Sequence, residues 1–201
     1  MNTEKYHHGH LREALIQEAC QQIEQKGASA LNLSKLAQKI GVSQPAVYRH
    51  FPSKQALAIS VAQRGLEQLA DALQKTTQNF ENDSFEGIRA IATAYVTFAL
   101  NHPEISRLMF SLEERVTNSA LQNASKAAAV PMYRLIEAEK RCGKLRHKDV
   151  EQAVRILWAA IHGLAMLLMD EQIPSITRSP DKLSEHIEAT ARTLQLGLFI
   201  V

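Results

Sequence analysis

Apolar residues recur at helical spacing along almost the whole chain. Leu11, Leu15, Ala19 and Ile23 lie one turn apart, which at 100° per residue predicts a first helix with a single apolar stripe. Gly27 marks its end. Leu33, Leu36, Ala37 and Ile40 predict a second, short helix, with Asn32 placed as its side-chain N-cap and Gly41 just past its last turn, where a left-handed residue is commonly needed. A third begins near Gln44: Ser43 is placed to cap it and Pro45 lies in its first turn, where a missing N–H costs no helical bond. Val47 and Phe51 then fall on one face, to pack against Leu36 and Ile40. Two short helices joined at a glycine and covered by an earlier helix predict a three-helix unit of helix-turn-helix type.

Beyond this unit the helical period continues. Leu57, Val61, Leu66, Leu69 and Leu73 predict a connecting helix from Lys54 to Thr77. Further helices are expected over Phe85 to Asn101, Glu104 to Arg115, Asn123 to Arg141, Asp149 to Asp170 and Asp181 to Phe199. Breaks fall at Asn82-Asp83-Ser84, His102-Pro103, Cys142-Gly143, and from Ile173 to Pro180. Alternating strand patterns are missing, so the fold class is all-α: a helix-turn-helix domain over residues 1–53 and a helical bundle over 54–201.

The inward pair Val47 and Phe51 decides what the third helix offers to a partner. Pro45, Ala46 and Arg49 point outward, Gln44 sits at the exposed N-terminal end, and Tyr48 and His50 flank this face. In a major groove, outward residues near the N-terminus reach base edges, and flanking groups meet phosphate oxygens. Lys54 opens the next helix behind a Ser53 cap and joins the phosphate set. Arg49 is the base reader by chemistry, with phosphate or solvent as its alternative.

Residues Leu33 to Lys54, LSKLAQKIGVSQPAVYRHFPSK, resemble the DNA-binding signature of TetR-type transcriptional regulators. That signature has an apolar helix, a Gly-Val-Ser turn, a Tyr-x-His-Phe recognition helix and a following lysine. The resemblance implies DNA contacts at Ser43, Gln44, Pro45, Tyr48, His50 and Lys54. It extends to Ala46, which offers only a methyl, and to Ser34, a short side chain where some relatives use arginine. The stretch NHPEISRLMFS, Asn101 to Ser111, with Trp158-Ala-Ala-Ile-His-Gly163, is similar to the C-terminal domain of the TetR subgroup named for its Trp, His and Gly motif.

In that family the last two long helices form a four-helix bundle with a second copy. The resemblance therefore implies a homodimer, with Ile156, Ile161, Leu164 and Leu168 of one helix and Ile187, Leu194 and Leu198 of the other at its interface. Two recognition helices would then read a palindromic operator in double-stranded DNA about one helical turn apart. The expected function is a repressor released by a small-molecule effector. An effector-independent or activating regulator of the same fold is the alternative. Tyr95, Phe98, Met109, Phe110, Met132, Tyr133, Trp158, His162 and Met166 are candidates to line a largely apolar effector pocket with a few polar anchors. Aromatic and methionine residues at helical spacing serve equally well as ordinary core, and Trp158 with His162, four residues apart, equally as a structural pair.

Charge and composition narrow the picture further. The chain has 201 residues, 45% hydrophobic, with a formal charge of +2. Residues up to Ala56 hold seven Lys or Arg against four Asp or Glu, whereas the remainder holds sixteen against seventeen. Positive charge thus gathers where DNA is expected. His7, His8 and His10 beside Gly9 lack the spacing or cysteine partners of a zinc site, and no metal or cofactor is expected. The Tyr-His-His-Gly opening, familiar in one TetR subgroup, is instead expected to lie near the DNA backbone, with an unstructured tail as the alternative. Glu113 and Glu114 beside Arg115 read as a solvated helix end, and no nucleophile, base and orienting acid converge, against an α-helical enzyme or carrier. Two unclustered cysteines, Cys20 and Cys142, the lack of a signal peptide and of an apolar run long enough to span a bilayer predict a cytoplasmic protein without membrane contact.

Overall fold

The computed structural model describes residues 8–77, 83–146 and 149–200. Within them the chain forms α1 (His8–Lys26), α2 (Leu33–Ile40), α3 (Gln44–His50), α4 (Lys54–Thr77), α5 (Ser84–Asn101), α6 (Pro103–Ser111), α7 (Ser119–Arg141), α8 (Val150–Met169), α9 (Pro174–Thr177) and α10 (Pro180–Leu198). Short 3-10 turns occupy Ala28–Ala30 and Glu113–Val116. The described residues contain no β-strand beyond one isolated antiparallel bridge, Leu145 to Phe199.

Most expected helices occur with ends shifted by a few residues, and α4 has the expected bounds. Two segments differ. The helix expected from Glu104 to Arg115 stops at Ser111, because Leu112 takes an extended backbone (φ −71°, ψ 126°) before the 3-10 turn. Conversely α7 begins at Ser119, where Asn118 accepts the Leu121 N–H (3.1 Å), and continues through Pro131. The Ile173 to Pro180 loop contains the single turn α9.

Contacts divide the chain into two compact units. The first comprises Met1–Leu66 with His102–Gln122. Its core holds Leu15, Ala19 and Ile23 of α1, Leu36 of α2, Val47 of α3, Phe51, and Leu57 and Val61 of α4. Burial of each Leu, Ile, Val or Phe side chain among them contributes about 1.5–3 kcal/mol. The α6 segment joins this unit through a cap supplied from far away in sequence. The Glu24 carboxylate of α1 accepts the N–H groups of Glu104 (3.3 Å) and Ile105 (3.2 Å), while His102, at the N-cap position, makes no side-chain cap bond. At Gly65 a Cβ would lie 2.5 Å from Ile105 Cγ2 and 2.7 Å from Met109 Sδ, so glycine permits the close approach of α4 to α6.

The second unit comprises Glu67–Asn101 with Asn123–Val201. Helix α5 packs against both α8 and α10. It buries Ile88, Ile91, Ala92, Tyr95 and Val96, against Leu157, Ile161, Leu164 and Leu168 of α8 and Ile187, Ala191, Leu194 and Leu198 of α10, all buried. Contrary to expectation, α8 is long and apolar enough to cross a membrane by length and composition, with a mean hydropathy of 1.5. Seven of its residues are buried within the unit, which accounts for much of that apolarity as core.

Candidate nucleic-acid interface

The recognition surface is built by local capping and a small buried wedge. Asn32 takes an extended backbone, and its side chain accepts the N–H groups of Ser34 (2.9 Å) and Lys35 (3.0 Å), starting α2. Gly41 (φ +77°) ends it in the left-handed conformation, and the following Val42 N–H returns to the Ala37 carbonyl at 2.9 Å. Ser43 stands at the N-cap of α3, but its hydroxyl makes no cap hydrogen bond, contrary to expectation. Its carbonyl instead accepts from Ala46 (3.0 Å) and Val47 (3.4 Å), so backbone geometry and Pro45 begin the helix. Val47 is fully buried and Phe51 nearly so, which turns the other face of α3 outward.

Ser34, Ser43, Gln44, Pro45, Arg49 and Lys54 are exposed, Tyr48 is half exposed, and Ala46 and His50 are partly buried. Arg49 leans along its own helix, with Nε donating to the Pro45 carbonyl at 3.4 Å, a long bond that a base or phosphate can displace. The Lys54 ammonium donates to the Ser29 carbonyl at 2.6 Å. That bond links the start of α4 to the 3-10 turn after α1, and the ammonium keeps two further donors for phosphate.

Two supporting groups have no counterpart among the expected residues. The Arg12 guanidinium sits 5.2 Å from the centre of the Phe51 ring and donates to Ser60 Oγ at 3.2 Å, covering the residue that ends α3. Lys39 of α2 pairs with Glu18 of α1 at 2.8 Å. Nothing in the local pattern marks these partners, because each pair lies 21 or more positions apart. Glu114, expected in a solvated helix end, is partly buried and accepts from Gln55 Nε2 at 2.9 Å, while Arg115 lies 4.9 Å from the Phe110 ring centre. His7, and the side chains of His8 and His10, lie outside the described residues, so the expected N-terminal arm contact does too.

The nine residues expected around an effector separate. Tyr95, Trp158 and His162 come together: the Tyr95 hydroxyl and His162 Nδ1 are 2.9 Å apart, and the Trp158 and His162 ring centres are 6.0 Å apart. The Tyr133 hydroxyl donates to the Glu151 carboxylate, and that bond raises the Tyr133 pKa. Phe98 and Met132 are buried, and Met166 is partly buried. Met109 and Phe110 belong to the first unit, where Met109 packs against Gly65. A pocket of about 220 Å³ between α5 and α10 is lined by Phe85, Glu86, Arg89, Thr93, Ser184, Ile187 and Glu188, and by none of the nine.

The expected interface residues differ in their burial within the single chain. Ile161, Leu164, Leu168, Ile187, Leu194 and Leu198 are buried inside the chain's own second unit, and Ile156 alone of the seven is exposed. The exposed large apolar side chains of α8 and the end of α10 are Ile156, Trp158, Leu167, Leu196 and Ile200. Both sets lie within largely apolar helices, so the sequence period alone did not separate inward from outward faces.

Comparison with known proteins adds independent support. A family model described as bacterial regulatory proteins, tetR family, matches residues 15–61, and one described as tetracyclin repressor-like, C-terminal domain, matches residues 88–191. The nucleoid occlusion factor SlmA of Vibrio vulnificus is 34% identical over 99 residues, 49% of this chain and 50% of that protein, so the match spans about half the length of that relative. The uncharacterized HTH-type transcriptional regulator YobS of Bacillus subtilis is 26% identical across 96% of this chain and 94% of its own. A solved protein of unknown function from Rhodococcus sp. RHA1 superposes with a TM-score of 0.83 at 28% identity, covering 99% of this chain and 100% of that one.

Proposed function

The chain belongs to the TetR family of bacterial regulatory proteins, and from that membership we propose that it is a homodimeric, cytoplasmic repressor that binds a palindromic operator and is released by a small-molecule effector. The family is one of DNA-binding transcriptional regulators, not enzymes. The observation that carries the reading is the α2–α3 pair: a wedge of buried Val47 and Phe51 turns Gln44, Pro45, Tyr48 and Arg49 to solvent on one face. In this reading Gln44 and Arg49 read base edges. Pro45, Ala46 and Ser34 make short contacts in the groove, and Ser43, Tyr48, His50 and Lys54 hold the backbone. Residues 1–53 are the functional DNA-binding domain and 54–201 the effector and dimerisation domain.

Dimerisation is supported by the outward faces of α8 and α10. Ile156, Leu167 and Leu196 are exposed, and a Cβ added at Gly163 or Gly197 would meet nothing within 4 Å, leaving room for close helix approach. The Tyr95, His162 and Trp158 cluster is the polar anchor for an otherwise apolar effector. An effector releases DNA only if it binds the two conformers unequally, and a coupling of about 1–3 kcal/mol would change operator affinity roughly 5- to 150-fold.

Selection of operator sites from random duplexes at moderate salt tests the reading. A palindrome should be enriched, and Arg49→Ala or Tyr48→Phe should weaken binding to it in a folded dimer. No enrichment by a folded dimer, or intact binding by both variants, would remove the assigned recognition face.

A further inference from the structure

The charge of the second unit is unevenly distributed. Five of the sixteen Lys and Arg residues beyond Ala56 fall within positions 140–148, a stretch with no Asp or Glu. Without that stretch the same part of the chain would hold eleven basic residues against seventeen acidic ones. Lys140, Arg141, Lys144 and Arg146 are all exposed, and none takes part in an ion pair among the described residues.

The turn that carries them is held firmly. Gly143 (φ +71°) follows the end of α7, and the Lys144 N–H returns to the Glu139 carbonyl at 2.9 Å. The Arg146 N–H donates to the Leu198 carbonyl (2.9 Å), the Ile200 N–H to the Lys144 carbonyl (2.7 Å), and Arg146 Nε to the Leu196 carbonyl (3.0 Å). The ends of α7 and α10 therefore meet at this corner.

Part of the charge has a structural use, since cations stabilise helix C-termini. Two such ends carry about −0.5 each, a total near −1, whereas the four described side chains carry a full positive charge apiece. Roughly three positive charges are left over. Four cations within seven consecutive positions are more than one small anion needs, which suits a polyanion such as the phosphates of a duplex.

We propose that the corner formed by Lys140, Arg141, Lys144 and Arg146 is a second, sequence-independent contact for duplex DNA, separate from the recognition helix α3. It lets a molecule bound to its operator hold another segment of duplex.

A two-duplex capture assay tests this. The full-length protein is loaded on an immobilised operator obtained by selection, excess is washed away, and a labelled unrelated duplex is added across a salt series. The wild type should retain the second duplex. The K140Q/R141Q/K144Q variant should lose about tenfold or more of that affinity, and its log–log salt slope should fall by about 2.7, for three phosphate contacts. Its hold on the operator should be unchanged. Arg146 is kept because its side chain supports the end of α10, and K140Q/R141Q alone, at the end of α7, should give an intermediate loss if the triple variant is unstable. Failure of the wild type to capture the second duplex, or equal capture by the variants, overturns the proposal. Retention of anionic phosphatidylglycerol vesicles in place of duplex, lost in the same variants, would also overturn it and assign the corner to a lipid surface. Loss of operator binding by the wild type would instead count against the recognition face of α3.

Discussion

Replacing Gly65 by alanine tests how the first unit is held together. A Cβ there would stand 2.5 Å from Ile105 Cγ2, 2.7 Å from Met109 Sδ and 3.2 Å from Met109 Cγ, against an ordinary carbon contact of about 3.5–4.0 Å. Met109 is flexible and can yield, but Ile105 is β-branched and buried, so the main overlap must be relieved by moving α4 away from α6. Overpacking of this kind costs about 1–3 kcal/mol. Alanine recovers close to 1 kcal/mol of helix propensity in mid-helix, leaving a net loss of about 1 kcal/mol for Gly65→Ala. Gly65→Val adds two further carbons and recovers less propensity, so it should be clearly worse. Chemical denaturation of the Gly65→Ala and Ile105→Ala single and double variants would give the coupling directly. The new methyl should fill part of the space vacated at Ile105, making the double variant more stable than the sum of the singles by about 1 kcal/mol. Additivity within about 0.5 kcal/mol would refute the close packing of α4 on α6 at this point.

Other outcomes follow from particular contacts. Asn32→Ala should cost about 1 kcal/mol, because two N–H groups of α2 lose their acceptor; the fall in unfolding midpoint should be accompanied by weaker operator binding. Burial pushes the Cys20 thiol up to about 11, so at pH 8 a thiol reagent should label only the exposed Cys142 in the folded chain. Since unfolding restores an ordinary thiol, the unfolded state loses its proton first and stability should decline from about pH 9 to about 11, a fall that Cys20→Ser should reduce. Trp158 is the single tryptophan and lies on the exposed side of α8, so Leu167→Glu, by opening the proposed dimer face, should give monomers in sedimentation and shift tryptophan emission to the red. Unchanged sedimentation would remove that face from the interface.

The sequence by itself determined what depends on neighbours within a few residues. Helix periods, the Asn32 cap, the Gly41 turn and the inward pair Val47 and Phe51 all follow from interactions within about one helical turn, and with them came the all-α class and the outward residues of α3. What only the tertiary structure decided involves partners far apart in the chain. Glu24 caps α6 across 80 positions, Gln55 meets Glu114 across 59, and Arg146 reaches α10 across 50. These contacts draw residues 102–122 into the first unit and bring the basic corner to the end of α10. The same distinction explains the interface residues. In α8 apolar side chains occupy more than one face, so periodicity reports a helix without telling which face meets α5; packing buries Ile161, Leu164 and Leu168 and leaves Ile156 and Leu167 outside. Local hydrogen bonding selects the helix, but the choice of buried face is a competition among surfaces that exist only once the chain has folded.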